Sequence, residues 1–150
     1  MPQLELTEQP APGMFGAIFR ALENESAPVV GAATASLLVI PLHEAAGAVA
    51  GGLWGCTNFE WLHVQMLFVP APLRGMGVGS RLMAMAEAHA IARGCRGAHV
   101  STFSFQAASF YERQGYALFG VLEDFPPGHS QLSFRKRFKP CERAAVPGVI

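Results

Sequence analysis

Between Val69 and Leu82 the chain reads Val-Pro-Ala-Pro-Leu-Arg-Gly-Met-Gly-Val-Gly-Ser-Arg-Leu, so that Gly75, Gly77 and Gly79 follow Arg74 at alternate positions. Residues without side chains let backbone N–H groups approach an anion, and a helix starting at this point would add the positive end of its dipole. Arg74 contributes a formal charge. The chemistry this implies is the binding of a phosphate-bearing ligand. Two phosphate patterns are excluded by spacing. A dinucleotide fingerprint needs G-x-G-x-x-G, but Gly75 and Gly77 are followed by Ser80, and Gly77 and Gly79 by Leu82; a P-loop needs G-x-x-x-x-G-K-[ST], and this segment has no Lys. A Gly-rich helix entry packed without any ligand satisfies the same residues.

The elements that must position this turn follow from periodicity. From Gly13 to Glu25 the residues Phe15, Ile18, Phe19 and Leu22 lie at i, i+3, i+4 and i+7, one apolar helical face. Ser36 to Ile40, Ala48 to Gly55 and Phe59 to Val69 read as three strands, antiparallel because turns at Pro41–Gly47 and Cys56–Asn58 are short. The third is apolar on both faces, as a central strand should be. Pro70-Ala71-Pro72 ends it, and Val78 to Arg93 is a helix with Val78, Leu82, Met85 and Ala86 on one side and Gly94 as its cap. Ala98–Phe103 is a strand, Gln106–Gln114 a short helix, and Tyr116–Leu122 and Gln131–Phe138 are two further strands. A strand, helix, strand sequence in the middle requires a parallel pair with a right-handed crossover. The fold class is therefore α/β, with a mixed, mostly antiparallel sheet.

The 150 residues suit a single domain, with a core over 13–138 and a flexible tail over 139–150. Half the residues are apolar and acids balance bases at 11 each, which excludes a disordered or nucleic-acid-coating chain. Arg135-Lys136-Arg137 reads as a solvated edge. Cys56, Cys95 and Cys141 lack C-x-x-C spacing, so no disulfide framework or zinc site is expected, and Cys56 and Cys95 read as buried small hydrophobes. No export signal or membrane span is legible, and a soluble, cytoplasmic protein is expected.

A second segment gives the turn its meaning. Ala107-Ala108-Ser109-Phe110-Tyr111-Glu112-Arg113-Gln114-Gly115-Tyr116 resembles the later signature of the GNAT superfamily of N-acyltransferases, and Arg74-x-x-Gly77-x-Gly79 matches that family's [QR]-x-x-G-x-[GA] motif. The resemblance covers about residues 13–138 and implies the GNAT sheet, with its central parallel strands splayed in a V and helices on both faces. It also implies acetyl-CoA as co-substrate, without metal. The pyrophosphate would lie on Arg74, Gly75, Met76, Gly77, Val78, Gly79 and Ser80, and the pantetheine arm on a bulged strand at Met66, Leu67, Phe68 and Val69. One departure stands out: Ser104 occupies the place of an Asn that bonds the arm in many members. A hydroxyl still donates and accepts.

The resemblance further implies direct attack of an amine on the thioester, with Tyr111 protonating the departing thiolate and a backbone N–H of the bulge stabilising the oxyanion. An amine of pKa about 10.4 is neutral only about once in 2,500 molecules at pH 7, so a base is useful. Glu60 and His63 are the leading candidates, although a strand-end Glu and a structural His look the same in sequence. Glu123, Asp124 and His129 could line the amine pocket, Trp54 and Trp61 could wall it, and His43 and Glu44 could shape it. The partners expected are acetyl-CoA and an amine acceptor, with no nucleic acid and no membrane; an exposed final strand permits a homodimer. The rival function is a non-catalytic acyl-CoA-binding regulatory module. A nucleotide-dependent enzyme is a third, disfavoured by the failed fingerprints.

Overall fold

Among the described residues, six strands form one sheet in the order β1-β2-β3-β4-β6-β5, where β1 is Ser36–His43, β2 Val49–Asn58, β3 Trp61–Phe68, β4 Gly97–Phe103, β5 Ala117–Glu123 and β6 Ser130–Arg137. Only β3 and β4 pair in parallel; every other neighbour is antiparallel. The helices are α1 (Met14–Val30), α2 (Val78–Ala92) and α3 (Ala108–Arg113), with a 3-10 turn at Ala71–Leu73. The computed structural model describes residues 1–139; Cys141 and the rest of the expected tail lie outside the described residues. Residues 1–33 form one compact unit and the chain from Thr34 another.

In the first unit, α1 runs five residues beyond the expected Glu25, with Pro28 inside it. Its apolar stripe of Phe15, Ile18, Phe19 and Leu22 is exposed.

In the second unit, the core consists of Leu38, Leu53, Leu62, Val64, Ala98, Val100 and Phe134 from one sheet face, with Leu82, Met83, Ala86 and Ala90 of α2 and Tyr111 of α3. Met83, not the expected Met85, faces this core, because it lies three residues before Ala86 and seven before Ala90; Met85 is exposed. The small Ala86 and Ala90 let α2 lie close to the sheet. Gly94 follows α2 at φ 85°, a left-handed position that glycine adopts without steric cost.

Several boundaries differ from expectation. Pro41 lies inside β1, tolerated because β1 is an edge strand where a missing N–H breaks no inner ladder. Cys56 and Thr57 belong to β2, paired with His63 and Leu62, and the turn is instead Phe59-Glu60, both at positive φ of 47° and 61°. Two such residues make a tight hairpin, a geometry usually signalled by Asn-Gly and absent from the sequence cues here. β6 lies between β4 and β5, so the final strand is not an edge as expected; β5 is. Arg135-Lys136-Arg137 is correspondingly not on an edge, although Arg135 and Arg137 are exposed as expected. Arg135 sits over Phe119, Lys136 binds Glu87, and Arg137 sits over Trp61.

Candidate active site

The Gly-rich turn joins β3 to α2. Gly75 and Gly77 are both left-handed, at φ 75° and 77°, and a Cβ on either would meet nothing within 4 Å. Their backbone is thus open to a ligand. Gly79 does a different job, since a Cβ there would lie 3.2 Å from the Phe110 ring of α3. The first α2 bond runs from Arg81 N–H to Gly77 O at 3.0 Å, which leaves the N–H groups of Val78, Gly79 and Ser80 without helical acceptors at the positive dipole end. Arg74 donates through Nε to Val69 O at 2.8 Å and lies over Phe68. The Ser80 hydroxyl accepts from Gln114 Nε2 at 2.9 Å, tying α2 to α3.

A cleft leads up to this turn. β3 and β4 pair only from Trp61↔Gly97 to Val64↔Val100. Gln65 is then an extra residue in β3, because Val64 pairs with Gly55 and Met66 with Trp54. Beyond the bulge β3 stays with β2 as far as Phe68, while β4 stays with β6 as far as Phe103. The strands therefore part, and no backbone bond among the described residues bridges Met66–Val69 and Ser101–Phe103. This explains why β3 is not apolar and buried on both faces as expected: Leu62 and Val64 are buried, but Gln65, Met66 and Phe68 are exposed. An extended chain bearing amide groups can hydrogen-bond to the freed strand edges.

α3 places Tyr111 in the core at 6% exposure, its ring 6.0 Å from Phe134. Phe134 pairs with Val100, so Tyr111 packs beneath the last rung before the strands separate. Burial pushes its pKa up to about 12, and its hydroxyl has no hydrogen-bond partner among the described residues. Such a phenol stays protonated and is a donor awaiting an acceptor. Tyr116 differs: its hydroxyl donates to Glu87 Oε1 at 2.9 Å, and Lys136 Nζ reaches Glu87 Oε2 at 2.8 Å. This trio ties α2 to β6. Glu87→Ala leaves both partners unsatisfied and should lower the unfolding free energy in urea by about 2–3 kcal/mol, whereas Glu87→Gln, which keeps an acceptor for Tyr116, should cost about 1 kcal/mol.

On the sheet face opposite α2, Cys56, His63, His99 and Arg135 form one row across β2, β3, β4 and β6. The imidazoles of His63 and His99 stack at 4.4 Å with a 10° interplanar angle. Burial lowers the pKa of both, and the neighbouring His63 lowers that of His99 further. His63 lies two residues before the bulge.

Glu60 is not brought to this place. It sits in the β2–β3 turn, ion-paired with Arg96 and accepting the Arg96 N–H on its carbonyl at 2.7 Å, about 20 Å along the strand from Met66. It borders a separate hollow of about 300 Å³ with Thr57 and Arg93. Ser104 extends the β4–β6 ladder, its Oγ accepting Ser130 N–H at 2.9 Å, which leaves its O–H to donate and one lone pair to accept. Asp124 accepts Gly128 N–H within its own loop, and His43 Nδ1 lies 3.2 Å from Gly47 O. His129 packs edge-on against Phe105, which stacks on Phe103. Trp54 is exposed beside Met66, and Trp61 touches His99. Cys95 is buried, but Cys56 is only half-buried beside His63.

The sequence reading missed His99 and the Phe103, Phe105 and Phe125 cluster. Period two over Gly97–Phe103 already puts His99 on the face away from Ala98 and Val100. Its meeting with His63 needed the parallel register.

Comparison with known proteins agrees with this geometry. Residues 4–116 match the model of the acetyltransferase (GNAT) family. The blasticidin-S acetyltransferase of Streptomyces morookaense is 52% identical over 83 residues, covering 55% of this chain and 61% of that protein. Acetyltransferase Atu2258 of Agrobacterium fabrum is 45% identical over 91 residues, 61% of this chain and 66% of that one. The chain thus spans less than two thirds of the length of these curated relatives. A crystal structure from Agrobacterium tumefaciens assigned as an acetyltransferase superposes with a TM-score of 0.84 at 35% identity, over 91% of this chain and 100% of that one. The parted parallel strands, the open glycine turn and these matches together place the chain in the GNAT acetyltransferase family.

Proposed function

We propose that the protein transfers an acetyl group from acetyl-CoA to a primary amine held in the same complex. The observation that carries this reading is the wedge between β3 and β4, which opens toward the Gly75–Ser80 turn. Acetyl-CoA supplies an activated thioester. The chain's own groups divide the remaining work. N–H groups from Gly75 to Ser80 and the Arg74 guanidinium hold the pyrophosphate, and the freed backbone of Met66–Val69 pairs with the pantetheine arm. Ser104 has one O–H left for the same arm. The Tyr111 hydroxyl, kept protonated by burial, donates to the leaving sulfur. His63 accepts the amine proton; Glu60, bound to Arg96 far from the bulge, has no part in this scheme.

The blasticidin-S acetyltransferase relative supports an amine-bearing antibiotic as the first acceptor to try. Thiol release should be followed with acetyl-CoA and a panel of amines that includes blasticidin S. Acyl transfer predicts amine-dependent release. Calorimetric binding of acetyl-CoA with no release across the panel would favour the non-catalytic acyl-CoA-binding module.

A further inference from the structure

His63 and His99 stand opposite each other on the parallel strands, one rung before the pairing ends, and their rings lie flat against each other at 4.4 Å. Such contact fixes the plane of each imidazole. Their surroundings are unusual for a proton acceptor. β2 presents the half-buried Cys56 to His63, and β6 presents Arg135 to His99. Trp61 packs against His99 and carries the Arg137 guanidinium over its own ring. A proton on His99 thus meets the second imidazole, while the Arg135 guanidinium lies over Phe119, and among the described residues no carboxylate stands in the row.

We propose that His99 is the positioning residue of the base: it holds the His63 ring beside the bulge and shares with it a single positive charge, leaving His63 free to take a proton. This rests on the transfer reading above. One proton leaves the acceptor ammonium for His63 and departs to water before the next turnover; the neutral amine attacks the thioester carbonyl, the C–S bond breaks, Tyr111 gives its proton to the thiolate, and the second proton shed by the acylated nitrogen restores the Tyr111 phenol. While the pair carries one proton, part of it resides on His99, and in that fraction His63 is still a neutral base. The pair thus keeps activity to a lower pH than a lone imidazole can, because a second proton enters only against the first.

Two variants separate the parts. His99→Phe keeps a flat ring against His63 but cannot titrate; His99→Ala removes both functions. At pH 8, His99→Ala should lose about tenfold in kcat and His99→Phe clearly less, because the flat ring still holds His63, with KM for acetyl-CoA unchanged in both. The acid limb of kcat/KM should move to higher pH in His99→Phe. The direct readout is the imidazole C2–H titration by NMR, which does not depend on turnover. In wild type each resonance should titrate in two steps over a shared range. His63 in His99→Phe, and His99 in His63→Phe, should each collapse to one step completed at higher pH. Independent one-step titrations in wild type alongside normal turnover overturn the pairing and leave the proposed transfer standing. Coupled titrations in a wild-type protein that turns over no amine overturn the transfer, and the base role with it.

Discussion

Gly77→Asp should weaken acetyl-CoA binding at least about 100-fold, close to 3 kcal/mol, while leaving the protein folded and of near-native stability. Gly77 has φ 77° and open space where a Cβ would stand. Asp tolerates the left-handed region better than most residues, and its carboxylate is favourable at a helix N-terminus by about 0.3–1 kcal/mol, which offsets much of the backbone cost. The carboxylate then points its charge at the N–H groups a pyrophosphate needs. Gly77→Ala is the control, carrying the backbone strain without the charge, and should lose about 1 kcal/mol of stability and at most about tenfold in affinity. Calorimetry with acetyl-CoA, beside thermal melts, reads both quantities. Unchanged binding in Gly77→Asp would place the anion somewhere other than this turn.

Tyr111→Phe should lower kcat about 100-fold with KM for acetyl-CoA unchanged, because the lost hydroxyl serves only the departing sulfur. Its effect on stability has an unusual sign. Removing a buried hydroxyl generally costs about 1 kcal/mol, but this one has no hydrogen-bond partner among the described residues, so Tyr111→Phe should leave urea stability unchanged or slightly raised. A loss of both kcat and stability would instead assign Tyr111 to packing. The pH dependence supplies a second check. With its pKa raised to about 12, the phenol keeps its proton throughout the working range, and donation is lost only as pH rises through that value. A basic limb of kcat near pH 9 or 10 therefore belongs to another group.

Local signals in the sequence were strong where a residue type has few alternatives. Gly75 and Gly77, needed for positive φ, and the Ala-rich period of α2 marked the strand-to-helix joint correctly, and the strand, helix, strand order gave the parallel pair. A bulge and the parting of the strands were implied only by the family resemblance, and its place at Gln65 came from the register, since a polar residue in a strand does not reveal that its partner has changed. The hairpin at Phe59-Glu60 was misplaced because neither residue is a usual turn former at positive φ. Pro41 suggested a turn because edge position, which makes it tolerable in a strand, is a tertiary property. Candidate bases were ranked by strand position alone. Register separates them, placing His63 against His99 and leaving Glu60 with Arg96. The role of β6 as an inner strand was likewise hidden, because a crossover between β4 and β6 leaves no local trace.

The most direct measurement is a crystal structure of the protein grown with coenzyme A. The pyrophosphate oxygens should lie within about 3 Å of N–H groups between Gly75 and Ser80, the pantetheine arm should fill the gap between Met66–Val69 and Ser101–Phe103, and the sulfur should reach the Tyr111 hydroxyl. A pyrophosphate seated instead in the basic hollow of about 520 Å³ lined by Arg113, Arg135, Lys136 and Arg137, with the wedge between β3 and β4 empty, would contradict the proposed site.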